Sequence, residues 1–225
     1  MCNLFRSRRN SHQATIPNTA RESYLSHQAA PEADLVRPSE MALVIAIGRM
    51  RVPVAVPMRW GWSRDFNPTI YNARAEKVGT GMWAQASRCL FLVSDYYETD
   101  KTTGQKWRIY AKRPVVTSGF YVPGLWEIGP EKRLFAAMLT EPASSLLDGM
   151  NDRQPCAFAD WREMEPWING GNLPNRTKLH LAKEQEAANR QSLQDIQERN
   201  HSHLAWRLRQ EADRNSPDGP TLPGL

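Results

Sequence analysis

Cys2 follows Met1 directly. Removal of that methionine, which aminopeptidases perform readily ahead of a small residue, would leave one residue with two nucleophiles: an α-amine with a pKa of about 8 and a thiol with a pKa of about 8.5. Glu98 closes the segment DYYE, and a carboxylate behind two tyrosines is expected to be desolvated, which raises its pKa and suits general acid work. The plainer alternative for Glu98 is a surface glutamate at a strand end. Asn72 opens NARAE and Asn151 opens NDRQP; an amide orients a partner by hydrogen bonding but, unlike histidine, exchanges no proton near neutral pH. Arg74, with Arg59, Trp60 and Trp62 of RWGW, combines guanidinium forks suited to phosphate oxygens with rings on which unpaired bases stack for about 1–3 kcal/mol each. The two tryptophans would serve a core equally well.

Other chemistries fare worse. The remaining cysteines, Cys89 and Cys156, form no CxxC pair and no metal-ligand spacing, so they read as buried thiols of a reducing, intracellular setting. Neither a metal nor a cofactor is expected. A cysteine hydrolase would need a histidine partner, yet His12, His27, His180, His201 and His203 all lie in polar segments outside the β-rich part of the chain.

The elements that must position these residues are mostly strands. MALVIAIG at 41–48 and VPVAVPMRWGW at 52–62 read as a hairpin whose proline-bearing second strand is edge-like or bulged. RCLFLV, KWRIYAK, VVTSGFYV and RLFAAMLT follow between 88 and 140, separated by turn chemistry at TTGQ (102–105), PG (123–124) and PEKR (130–133). Such a series predicts an antiparallel sheet or barrel. EPASSLLDGM at 141–150 reads as a short helix, another short helix is expected around Thr19–Gln28, and PWINGGNLPN at 166–175 reads as a domain edge. Residues 176–213 are polar and helix-favouring with a thin apolar stripe, read as a solvated helix or partly disordered tail. The 225 residues hold 29 Lys and Arg against 24 Asp and Glu, a mild bias towards polyanions. The longest apolar run, eight residues, is far short of the roughly 20 needed to cross a bilayer, so no membrane association is expected.

Taken in order, MCN, RWGW with NARAE, RCLFLVSDYYE and MNDRQP, with VRPSEMALVI more weakly, resemble the SRAP family of SOS-response-associated peptidase domains, which bind abasic sites in single-stranded DNA. The resemblance runs from Cys2 to about Trp167. It implies an α+β, β-rich domain over 1–170, with antiparallel strands in a barrel-like sheet and short helices; it does not cover the tail, so 171–225 stays, on its composition, a polar helical or partly disordered extension. It further implies that the Cys2 amine attacks the ring-opened aldehyde of an abasic sugar to form a Schiff base. Addition of the thiol then closes a thiazolidine crosslink. Asn72 matches the family's active-site asparagine, Glu98 its catalytic glutamate, and Arg74 a phosphate contact; Arg59, Trp60 and Trp62 lie where the family presents a basic and aromatic surface.

Asn151 departs from the pattern, standing where the family has histidine, which puts crosslink reversal and strand cleavage in doubt more than crosslink formation. Asn3 and Thr99 are smaller departures that remove no reactive group. The implied partner is single-stranded DNA containing abasic sites, bound by a monomer in the cytoplasm and on the nucleoid. The resemblance also implies a peptidase activity confined to the chain's own N-terminus, and a lyase activity. The alternative is a catalytically impaired member acting as a non-covalent DNA-binding or partner-recruiting module, with the tail's partner unknown.

Overall fold

Cys89 to Val93 is apolar at every position, the pattern of a strand buried on both faces rather than one. The computed structural model, which describes residues 4–7, 19–20, 35–62, 70–112, 120–174, 179 and 181–185, builds the whole architecture around that strand. In chain order the strands are β1 (Phe5–Ser7), β2 (Leu35–Val36), β3 (Met41–Ile47), β4 (Pro53–Trp60), β5 (Asn72–Arg74), β6 (Ser87–Thr99), β7 (Lys106–Ala111), β8 (Phe120–Ile128), β9 (Leu134–Pro142), β10 (Arg153–Pro155) and β11 (Leu181–Gln185). Among the described residues a complete helix, α1, spans Trp161–Ile168.

Strands β3, β4, β9, β8 and β6 close into a five-stranded barrel, with β6 returning to β3. The joints are antiparallel except that of β4 with β9, which run parallel where Arg59 faces Phe135 and Trp60 faces Ala136. Pro53 and Pro57 precede that joint, on a stretch whose outer edge carries no ladder among the described residues, so their missing N–H groups interrupt nothing there. The edge-like reading of this strand therefore holds for its first half.

Successive residues of β6 point to opposite sides, and each side has its own core. Cys89, Phe91 and Val93 meet Val44, Met58, Trp60, Val122 and Met138 in one cluster. Leu90 and Leu92 meet Tyr121, Leu125 and Leu139 in the other, which α1 covers with Trp161, Met164, Trp167 and Ile168. The Asp160 side chain caps α1 by accepting from the Arg162 backbone N–H at 3.0 Å.

Four expectations need correction. Pro123 and Gly124 are not a turn but the middle of β8. A Cβ on Gly124 would lie 2.5 Å from the Phe91 ring and 2.9 Å from both the Ala137 carbonyl and the Cys89 sulfur, so glycine is there for close packing. Residues 141–150 hold the end of β9 and a single 3-10 turn, Ser145–Leu147, in place of a short α-helix, because Glu141 and Pro142 remain paired with β10. Pro166–Ile168, read as domain edge, complete α1, whose burial at Trp161, Met164, Trp167 and Ile168 outweighs the proline. Leu181–Gln185, in the stretch read as helix, is a strand pairing along β7 from Ala111 to Trp107. An open edge offering backbone partners has overridden local propensity. Of the helix expected around Thr19–Gln28, Thr19 and Ala20 are helical and the remainder lies outside the described residues, as does the rest of the C-terminal extension. The turns expected at 102–105 and 130–133 are present; the first is pinned by Asp100, whose Oδ1 accepts from the Thr102 and Thr103 N–H groups.

Candidate active site

β6 outlasts the barrel. Its last residues pair with β1 on one side and β7 on the other, carrying Tyr97 and Glu98 beyond the core strands. Strand β1 is held there by its own polar residue. The Arg6 guanidinium donates to the Tyr97 hydroxyl at 2.7 Å and lies 3.8 Å from the buried Asp95 carboxylate, which Arg108 also grips at 2.8 Å. Arg108 in turn binds Glu184 of β11, so both ends of the described chain are fastened to β6. Arg6 is thereby engaged within the protein.

Glu98 is 4% exposed, which excludes the surface-glutamate reading. Burial pushes its carboxyl above the ordinary carboxylate range, opposed in part by nearby positive charge, Lys101 included, and by a hydrogen bond from Asn151. That bond runs from Asn151 Nδ2 to Glu98 Oε2 at 3.0 Å, while Asn151 Oδ1 accepts from the Asp152 N–H at 3.0 Å. Both polar atoms of the amide are committed, so Asn151 holds the carboxyl in place but has no proton to relay. Trp107 faces Glu98 across the strands, and its buried indole N–H has no acceptor among the described residues.

The two asparagine motifs are joined by a contact that the sequence did not reveal. Arg153, nearly buried, donates two parallel bonds to the Glu76 carboxylate, at 2.9 and 2.8 Å. The same guanidinium donates to the Thr140 carbonyl at 2.6 Å and to Thr140 Oγ1 at 3.2 Å, and that hydroxyl donates to the Ala73 carbonyl. Arg153 holds the Glu76 carboxyl below its usual range. Asn72 on β5 and Asn151 ahead of β10 are thus tied to β9 by one buried cation. The only hint was that both motifs carry a charged residue of opposite sign.

Cys2 lies outside the described residues. The chain that leads from it is well anchored, because the Leu4 carbonyl accepts from the Tyr97 N–H at 2.9 Å, one residue from Glu98. Two residues of chain span at most about 7 Å. Phe5 packs edge-on against Trp60 (4.9 Å), and Trp60 against Tyr71 (5.5 Å), with the Trp60 indole donating to the Tyr71 carbonyl next to Asn72. Leu4, Phe5, Asn72, Glu98 and Asn151 therefore belong to one end of the barrel.

Trp60 and Trp62 are buried at 0% and 1% exposure, so neither presents a ring to solvent, and the core reading replaces the base-stacking one. Arg74 is exposed and Arg59 half-buried. Cys89 and Cys156 are buried free thiols, and burial pushes the Cys89 thiol up. The histidines all lie outside the described residues, and among the described residues no group of side chains could hold a metal ion. No helix among them is long and apolar enough to cross a membrane.

Fold and site together define a β-barrel protein with a desolvated carboxyl, clamped by an amide, on the strand that β1 flanks. A model of the family described as SOS response associated peptidase (SRAP) matches residues 1–199, and the chain belongs to that family. Solved structures similar to it include a protein from Bordetella bronchiseptica, 19% identical with a TM-score of 0.60, covering 82% of this chain and 99% of that one. Others are a protein from Bacteroides thetaiotaomicron (14% identical, TM-score 0.60, 83% of this chain and 93% of that one) and a phage-related protein from Bordetella bronchiseptica (15%, 0.60, 83% and 94%). At these identities the likeness carries the fold alone. No curated protein sequence matches the chain.

Proposed function

We propose that this SRAP-family protein captures abasic sites in single-stranded DNA covalently and releases them slowly. With Met1 removed, the Cys2 amine adds to the sugar aldehyde, and the resulting carbinolamine loses water to give a Schiff base. Addition of the thiol across the C=N bond closes the thiazolidine. One water leaves, and no oxidant or reductant is needed.

Protonated Glu98 supplies the proton that lets hydroxide depart as water, and its ionised form takes a proton back from the nucleophiles. Asn72 orients the sugar, and Arg74 and Arg59 contact phosphates. The observation that carries this reading is the buried Glu98 carboxyl, clamped by Asn151 and one residue along β6 from the backbone bond that anchors Leu4. Because that clamp is an amide, reversal has Glu98 alone to move protons, without the second relay that a histidine at position 151 would add.

Denaturing electrophoresis after incubation with single-stranded DNA bearing one abasic site tests the reading. A heat-stable shifted band is expected, absent in Cys2→Ala and lasting longer in a competitor chase than in Asn151→His. No band from protein whose mass shows Met1 removed would sink covalent capture and favour a non-covalent DNA-binding module. Equal lifetimes with Asn151→His would sink slow release.

A further inference from the structure

The end of the barrel away from Glu98 carries a second polar site of opposite character. Arg88 and Glu98 lie on the same strand, ten residues and up to about 33 Å apart. Around Arg88 the β3–β4 hairpin tip, the start of β6, Trp126 of β8 and the C-terminal end of α1 enclose an open cleft of about 420 Å3. Three of its lining residues are Arg49, Arg51 and Arg88, and none is acidic. Among the described residues no carboxylate pairs with any of the three.

The cleft is built to hold Arg88 in place. Its guanidinium stacks over the Trp167 ring at 4.7 Å, and the Trp126 indole donates to its carbonyl at 3.1 Å. Gly170 stands beside it with a φ of +101°, and a Cβ there would come within 3.2 Å of Arg88 Nη1, so backbone conformation and space both favour glycine. Burial makes the charged guanidinium less comfortable here than in water, and a bound anion would relieve that cost. Arg49 and Arg51 are exposed on the tip, and between them Met50 is 83% exposed. A site with an open side, spread guanidinium forks and a bare apolar tip fits a passing strand whose bases are unpaired better than an enclosed small anion.

We propose that this cleft binds the phosphodiester backbone of an unpaired nucleic-acid strand, at a site separate from the Glu98 end. The inference stands on these residues alone and does not depend on the crosslinking chemistry.

Amide NMR titration of the full chain with a twelve-residue oligothymidylate lacking abasic sites, beside thymidine monophosphate and inorganic phosphate, tests it. The oligonucleotide is expected to shift the signals of Gly48 to Arg51, Arg88 and Gly170 and the Trp126 indole. In R49Q/R51N, which alters only the exposed tip and places asparagine at a position with positive φ, affinity near 0.1 M salt should fall about tenfold or more. The slope of log affinity against log salt should flatten by about 1.4, for two lost phosphate contacts. Arg88→Gln should weaken binding further. Shifts confined to residues around Glu98 and Asn151, or an unchanged slope in R49Q/R51N, would overturn the proposal. Mononucleotide or phosphate binding as tightly as the oligonucleotide would overturn the strand and leave a small-anion site.

Discussion

The two ends of the barrel treat charge in opposite ways. At the Glu98 end the buried charged groups are answered from within the chain: Asp95 by Arg6 and Arg108, Arg153 by Glu76, and Glu98 itself by the Asn151 amide. At the Arg88 end three guanidinium groups share a cleft with no carboxylate. The difference teaches what each end can do. Internal partners hold a carboxyl at a fixed place, and burial raises its pKa, as proton transfer requires. Cations without internal partners wait for an anion from outside, as binding requires.

If the Glu98 end is the chemical one, Glu98→Gln should give the largest change of all. Glutamine keeps the shape and still accepts from Asn151, so the fold survives, but it cannot exchange a proton. Crosslink formation followed by quenched time points on a denaturing gel should slow by about 100-fold or more. A rate within a few fold of the natural chain would remove Glu98 from the reaction and erase the chemical half of the contrast.

The next effect is structural. Glu76→Ala leaves the nearly buried Arg153 guanidinium with only Thr140 for company. Because Glu76 is half exposed, the cost is put at about 2 kcal/mol rather than the larger loss typical of fully buried pairs. Urea denaturation would read it as a lower midpoint. The variant should also slow crosslinking, since Asn72 and Asn151 share this anchor. Full stability would mean that Arg153 finds other partners and that the clamp is ornamental.

A smaller effect isolates the burial of Glu98. Its folded pKa is raised above the unfolded value of about 4.3, so its contribution to stability is fully present below that value and is lost as pH rises through the folded pKa. Glutamine cannot ionise. The stability of Glu98→Gln relative to the natural chain should therefore climb with pH across that window and level off above it. Midpoints measured in a pH series check this, and a difference independent of pH would show a carboxyl as well solvated as any on the surface.

How much of this contrast was legible in the sequence depended on whether partners lay near in sequence or far apart. The strand runs and the chemistry of Glu98 could be read locally, because apolar runs and DYYE carry their own signal. The Arg153–Glu76 pair links residues 77 apart, and nothing within either motif identifies its partner. Trp60 and Trp62 were read as surface or core with equal weight because one indole serves either, and only closure of the barrel over Phe5 and Tyr71 decides the matter for Trp60. Pro123–Gly124 carries the letters of a turn, yet in β8 the missing Cβ lets Phe91 and Cys89 pack against the strand. β11 was hidden for the same reason: its strand conformation comes from the open edge of β7, not from its own polar, helix-favouring residues. The basic cleft went unnoticed because Arg49, Arg51 and Arg88 are brought together by the β3–β6 pairing.

The smallest expected effect is the sharpest test of the opposite end. If Arg49 and Arg51 are answered only by an outside anion, removing their charge should cost the free protein almost nothing. R49Q/R51N should stay within about 0.5 kcal/mol of the natural chain in urea denaturation. It should even gain slightly at low salt, where mutual repulsion of the two guanidinium groups with Arg88 is least screened. Asparagine at position 51 also tolerates the positive φ of 56° better than arginine does. A loss of 1 kcal/mol or more would show that these side chains brace the hairpin tip, and the two ends of the barrel would then differ in the sign of their charge but not in its use.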